Sequence, residues 1–314
     1  MIDFRYHLVS IISVFLALAV GIVLGAGPLQ ANLGNQLSDQ VSALRTEKQA
    51  LNDKLTTSEK LADASDEYAT AVQQRVVKSR LSGHRAVVVV LPSADGTMTT
   101  NLEGVVTQSG AGLTGTVTLS PDWFDPSQAS DRAQAAKEAA SALGVGSTAT
   151  GDELLVQVLT DLLVSTSDAG TSAQRTAALK VLVDANLVDS SVADLAPADI
   201  AVVVSADYAG TESVVESRSD AIRALVTSFA GSTRSTVVAS GETVAAAGQP
   251  VTSNAVQAVR EKSETAGIVS TVDHARAGDG PATVVLAVED ALDERVGHYG
   301  VAAGATATVP RVLP

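Results

Sequence analysis

From Leu8 to Gly27 the chain carries no charged residue, and Leu8 to Leu24 (LVSIISVFLALAVGIVL) is apolar almost throughout. That is the length a bilayer core requires of one helix. Twelve of the residues from Leu8 to Leu24 are Leu, Ile, Val or Phe. At mid-membrane values they contribute about −4 to −7 kcal/mol toward insertion, with no internal charge to oppose it. A soluble helix of this length normally shows a polar face, and here only Ser10 and Ser13 supply one. The run is therefore read as a membrane span, marked by Leu8, Phe15, Gly21 and Leu24. A cleaved signal peptide is the competing reading, because Ala26 and Gly27 are small. Leu24 sits badly for a cut after Ala26, and Pro28 would directly follow a cut after Gly27, so an uncleaved anchor is favoured.

Arg5 and the amino terminus precede the span, and the first charge after it is Asp39. The excess of positive charge on the short side places residues 1–7 in the cytoplasm. Everything after Pro28 then lies outside, which describes a single-pass protein of the cell membrane. Ala17, Gly21 and Gly25 recur at four-residue spacing and would let two such spans approach closely.

Beyond Pro28, which suits a kink or a restart, the apolar period changes to 3.5. With Leu37, Leu44 and Leu51 at d, the a positions are Val41, Lys48 and Leu55. The register continues through Ser58, Ala62, Ser65 and Ala69 to Val72 and Val76, giving a coiled coil of about six heptads. The seam weakens at Lys48 and between Ser58 and Ala69. Two roles fit it: a spacer or homodimer stalk of roughly 70 Å, or a surface for a partner helix.

The remainder reads as an α/β domain. Aromatic residues make up only 3% of the chain, so its interior must be built from small and β-branched side chains. Arg85 to Leu91 (RAVVVVL) is a fully buried strand, and Leu113–Ser120, Ile200–Ser205, Ser235–Ser240 and Gly267–Val272 are further candidates. Helical patterns lie at Met98–Gln108, Gln128–Leu143, Asp152–Ser165, Ser172–Ala185, Glu212–Phe229, Asn254–Ser263 and Ala282–Arg295. Alternation of this kind implies a mainly parallel, Rossmann-like sheet with helices on both faces, and the helical stretch from Gln128 to Ala185 suggests a partly separate layer. The expected division is 1–28 cytoplasmic tip and anchor, 29–82 stalk, 83–302 head, and 303–314 a loose tail or edge strand.

A net charge of −14 with no clustered excess of Lys or Arg argues against nucleic acid. The absence of cysteine removes disulfides, thiolate metal sites and cysteine nucleophiles. Gly110, Gly112 and Gly115 have the spacing of a dinucleotide fingerprint but follow a helix and lead into a strand, the reverse of the order that fingerprint needs. They suit a helix C-cap and turn better. Ligands of open parallel sheets bind beyond the carboxyl ends of the strands, where this sequence places Asp95, Asp207, Glu242, Asp273 and His274. These side chains could form a crevice for a hard cation, or serve as ordinary caps and turn residues. His7, His84, His274 and His298 are scattered, and Met1 and Met98 are the only methionines, so no soft metal site and no cofactor is evident. The loop from Pro121 to Pro126 holds Trp123 beside Phe124 as a partner-binding knob or as an anchor into the core. No catalytic motif is present, and an enzyme is not expected.

The opening FRYHLVSIISVFLALAVGIVLGAG (Phe4 to Gly27), followed by a heptad stalk and an Ala/Val-rich α/β head, resembles the actinobacterial family of mycobacterial copper transport protein B, MctB. The resemblance implies an envelope protein of copper transport and copper homeostasis, described as channel-forming in an outer membrane. A pore of that kind needs a closed barrel of alternating strands, whereas this head shows buried strands separated by helices. The family is also similar to SteB-type envelope proteins, whose coiled coil faces the wall. That likeness implies a scaffold or regulator with a peptidoglycan hydrolase or division protein as partner.

Overall fold

The computed structural model describes residues 4–164, 170–191, 196–241 and 251–311, and the side chains of these apart from 26–36 and 251. Contacts divide the chain into two compact units, Met1–Ala64 and Ser65–Pro314.

The first unit is helical. Helix α1 (Phe4–Val77) is assigned without a break at Pro28, so the backbone does not restart there. Its segment Phe4–Gly25 is long and apolar enough to cross a membrane, and none of it is buried by the protein. Leu8, Phe15 and Leu24 are more than half exposed, which in water would leave a large apolar surface uncovered. Further along, Leu37, Val41, Leu44, Leu51 and Leu55 are likewise exposed along the 3.5-residue repeat. The last turns of α1 fall in the second unit, where Val72 and Val76 are half-buried and Val77 is in the core.

In the second unit a seven-stranded sheet has the order β3, β2, β1, β4, β6, β8, β9. Its members are β1 (Arg85–Val90), β2 (Gly112–Leu119), β3 (Val188–Ser190), β4 (Ile200–Ser205), β6 (Ser235–Ser240), β8 (Ser270–Val272) and β9 (His298–Tyr299). Every neighbouring pair is parallel except β2 with β3. A separate antiparallel pair joins β5 (Tyr208–Gly210) to β7 (Val251–Ser253). The helices are α2 (Gly96–Gln108), α3 (Ala129–Leu143), α4 (Gly151–Leu163), α5 (Ser172–Asp184), α6 (Glu212–Ser232), α7 (Ala255–Arg260), α8 (Ser263–Ala266) and α9 (Gly280–Leu292).

The two-residue alternation of a strand sorts the valine runs into two cores. Val87, Val89, Val117, Leu119, Ala201 and Val203 face one core with side chains of α3 to α7. Ala86, Val88, Val90, Val202 and Val204 face the other, with α2, α9 and Val77 of α1. Both faces of the sheet are therefore covered, which explains why these strands read as continuous apolar runs. Small residues let the layers approach: Ala135, Ala136, Ala139 and Ala140 form the buried stripe of α3. Helix α4 contributes the leucines, with Leu155, Leu159, Leu162 and Leu163 buried, each worth about 1.5–3 kcal/mol. The expected separate layer is not observed, because α3, α4 and α5 share one continuous core with the sheet.

Several element boundaries also differ from expectation. The single helix expected over Asn254–Ser263 is two short ones, with Asn254 as the N-cap that accepts from Gln257 N at 3.0 Å. The strand expected from Gly267 begins at Ser270, because Gly267 closes α8. Of the three glycines, Gly110 follows the end of α2 with φ +88°, while Gly112 and Gly115 lie within β2.

Candidate functional site

Strand order reverses between β1 and β4, the point at which open parallel sheets offer a crevice beyond their carboxyl ends. A cavity of about 350 Å³ lies there, with Asp95, Met98, Ser205, Asp207 and Arg276 among its lining residues. Asp95 is the N-cap of α2: its Oδ1 accepts from Met98 N at 2.9 Å. That hydrogen bond, helped by Arg276, holds the Asp95 carboxyl below the ordinary carboxylate range against the opposing effect of desolvation. Arg276 reaches Asp95 Oδ2 at 3.2 Å but is largely exposed, so the pair is weak. Asp207 Oδ1 accepts from Asn254 Nδ2 at 3.0 Å, which ties the exit of β4 to the start of α7. The Ser205 hydroxyl accepts from Ala255 N at 3.1 Å and donates to Ala206 O at 3.0 Å.

Of the five expected strand-end residues, the crevice holds Asp95 and Asp207. Asp273 is a structural acid. It is buried, pairs with Arg260 Nη1 at 2.7 Å, and accepts from Val301 N at 2.8 Å and Ala302 N at 3.1 Å. His274 is buried as well, with neither ring nitrogen hydrogen-bonded and Nε2 at 3.7 Å from Asp279 Oδ2. Glu242 lies outside the described residues. Among the described residues no three of His, Asp or Glu gather closely enough to hold a metal ion.

The other histidines stand apart. His84 meets Asp199 Oδ2 at 2.5 Å at the amino ends of β1 and β4, His298 meets Thr271 Oγ1 at 2.9 Å on β9, and His7 is exposed on α1. Burial lowers the His298 pKa, with Arg260 adding to the effect. Met98 is a buried residue of the first turn of α2, and Met1 lies outside the described residues. Trp123 is 5% exposed within the core, so the Pro121–Pro126 loop is pinned by it.

The donors of the crevice are mostly hard oxygen, partly committed to a helix cap, an amide and a guanidinium. Met98 is the one sulfur in its lining, fewer than the several soft ligands that copper(I) favours. Sequence reasoning missed Arg276, although it stands three residues after Asp273 in a segment already assigned to a strand end.

These features define a class: an α/β domain with a polar strand-end crevice, carried on a long helix whose start is apolar enough to span a membrane. A family model described as "Copper transport outer membrane protein, MctB" matches residues 1–310. The chain belongs to the MctB family. It is similar to the "Copper transporter MctB" of Mycobacterium tuberculosis (strain ATCC 25618 / H37Rv), with 29% identity over 321 residues, 97% of this chain and 98% of that protein. It is likewise similar to the "Copper transporter MctB" of Mycobacterium leprae (strain TN), with 30% identity over 329 residues, 99% of this chain and 100% of that protein.

Proposed function

We propose that this chain is a single-pass cell-membrane protein of copper transport and homeostasis, with its amino terminus in the cytoplasm and its Rossmann-like head outside. The observation that carries the copper role is the family match over residues 1–310, with relatives named copper transporters along nearly their whole length. The chemistry of the head favours an accessory role over conduction. Among the described residues both sheets are open and the larger is faced by two cores, so neither encloses a water-filled lumen. Nor is the head an enzyme in this reading, since the Ser205 hydroxyl and the carboxylates of Asp95 and Asp207 in the crevice are engaged in internal hydrogen bonds.

The test is copper content in cells lacking the protein. Under copper load the deleted strain should hold several times the copper of its parent, with recovery on return of the full chain. An unchanged copper content would refute the copper role.

A second reading, a scaffold of wall remodelling, is favoured by the uncovered stripe of Leu37, Val41, Leu44, Leu51 and Leu55. Such a stripe is the surface a partner helix buries, first of all the same helix of a second copy. The two readings are compatible, because a paired stalk can present the head to a partner whatever that partner does. Replacement Leu44→Pro should abolish capture of a wall hydrolase or division protein by the full chain and disturb cell separation. Normal separation in such cells would remove the scaffold reading.

A further inference from the structure

A second cavity, of about 650 Å³, opens between the turns Pro121–Trp123 and Pro126–Gln128 and helices α3, α4 and α6. Its size is that of an ordinary small-molecule pocket. Trp123, Phe124, Leu155 and Ala224 give it an apolar wall.

Two arginines line it, and they differ in one respect. Arg132 is neutralised within the fold: its Nε and Nη2 hold the Asp152 carboxylate at 2.8 and 2.9 Å, and its Nη1 donates to Asp122 O and Asp125 O. Arg218 makes no ion pair or hydrogen bond among the described residues, and its Nε is buried without an acceptor. Its guanidinium carbon stands 5.0 Å from the Phe124 ring centre and 4.8 Å from that of Tyr208. The Tyr208 ring is fixed in turn by a 2.8 Å hydrogen bond between its hydroxyl and Ser219. The rings orient the cation and offset part of its desolvation, yet burial still lowers its pKa from the ordinary arginine value. A partly desolvated cation on a cavity wall with no counter-ion is a group that an incoming anion would stabilise.

The charge of the cavity selects that anion. Asp152 and Glu153 share the lining with Arg132 and Arg218, so the wall is neutral overall. One negative charge is accepted by Arg218, whereas a second would meet Glu153, because Asp152 is already held by Arg132. The fork of a guanidinium also matches the planar carboxylate.

We propose that this cavity binds a small organic monocarboxylate with an apolar body, its carboxylate received by Arg218 and its body laid against Trp123, Phe124 and Leu155.

Trp123 is the only tryptophan in the chain, so its fluorescence reports on this wall alone. The full-length protein in lipid nanodiscs is titrated with 4-phenylbutyrate, with 4-phenylbutanol, which lacks the charge, and with phenyl phosphate. The acid should give a saturable change, with the alcohol at least tenfold weaker and the phosphate weaker than the acid. Arg218→Gln should erase the preference for acid over alcohol, and Arg218→Lys should retain it. Ala224→Leu fills the cavity from an exposed helix position and should remove saturation for both ligands with an unchanged circular dichroism spectrum. Equal binding of acid and alcohol, a preference that survives Arg218→Gln, tighter binding of the phosphate, or no saturable response to the acid would each overturn the proposal. Should Arg218→Gln fail to fold, the wild-type comparison of acid with alcohol and the Ala224→Leu variant decide.

Discussion

Replacing Asp273 with Ala would isolate a cation in the core. Both members of the Arg260–Asp273 pair are 4% exposed and stand 2.7 Å apart. Removing one partner of a buried pair costs about 3–5 kcal/mol, because the other charge stays desolvated. Arg260 keeps three acceptors, Thr271 Oγ1 at 2.8 Å, Tyr299 O at 2.9 Å and Ala303 O at 3.2 Å, which sets the expected loss at the lower end. The freed amides belong to Val301, which is exposed, and Ala302, which is half-buried, so water can replace the carboxylate there. A loss of about 3 kcal/mol corresponds to a fall in Tm of about 6–12 °C for a cooperative unit of this size. The assay is thermal unfolding of the full chain in detergent, followed by circular dichroism. The double variant Arg260→Met with Asp273→Ala removes the orphaned charge and should recover most of the loss. A single variant that melts within about 2 °C of wild type would refute a structural role for Asp273.

Gly300 has φ +128°, and a β-carbon there would run into the Asp273 carboxylate, so Gly300→Ala should lower the urea midpoint by the equivalent of about 1–3 kcal/mol. Desolvation pushes the Asp199 carboxyl up, but hydrogen bonds from His84 and Arg85 N outweigh it and leave its pKa below the ordinary 3.8. The stabilisation is thus complete above the unfolded value and is lost as pH falls through the folded one, so Asp199→Asn should flatten the acid limb of stability against pH. Leu44→Glu with Leu51→Glu should abolish chemical crosslinking of two copies while leaving the melting of the second unit unchanged. One arginine in the span costs about 2.5–3.5 kcal/mol against the −4 to −7 kcal/mol available, so Leu16→Arg with Val20→Arg should be needed to lose carbonate-resistant membrane association.

The parts of the fold legible in the sequence are those whose burial is two-sided. The run from Arg85 to Leu91 announces a central strand because no residue in its middle has a solvent face to mark, and Ile200–Ser205 and Ser235–Ser240 are legible for the same reason. Short elements carry no such signal: β3, β5 and β7 have three residues each and β9 has two, fewer than the roughly four over which alternation becomes legible. Of the candidate site, Asp95 and Asp207 were legible as crevice residues, because both follow the carboxyl ends of runs that read as parallel strands. Asp273 does follow the carboxyl end of β8 but stands outside the crevice, since position at a strand end says nothing of the arginine that reaches it from α7. Arg218 was equally invisible: a cation on a polar helix looks solvated until the rings of Phe124 and Tyr208 are brought beside it.

Both margins of the seven-stranded sheet are short, three residues in β3 and two in β9. A neighbour seeking to extend the hydrogen-bond ladder finds too little template at either rim. Two heads brought side by side would thereby be kept from zipping into a continuous sheet. Any lateral contact between copies would fall to side chains, which can be tuned one residue at a time.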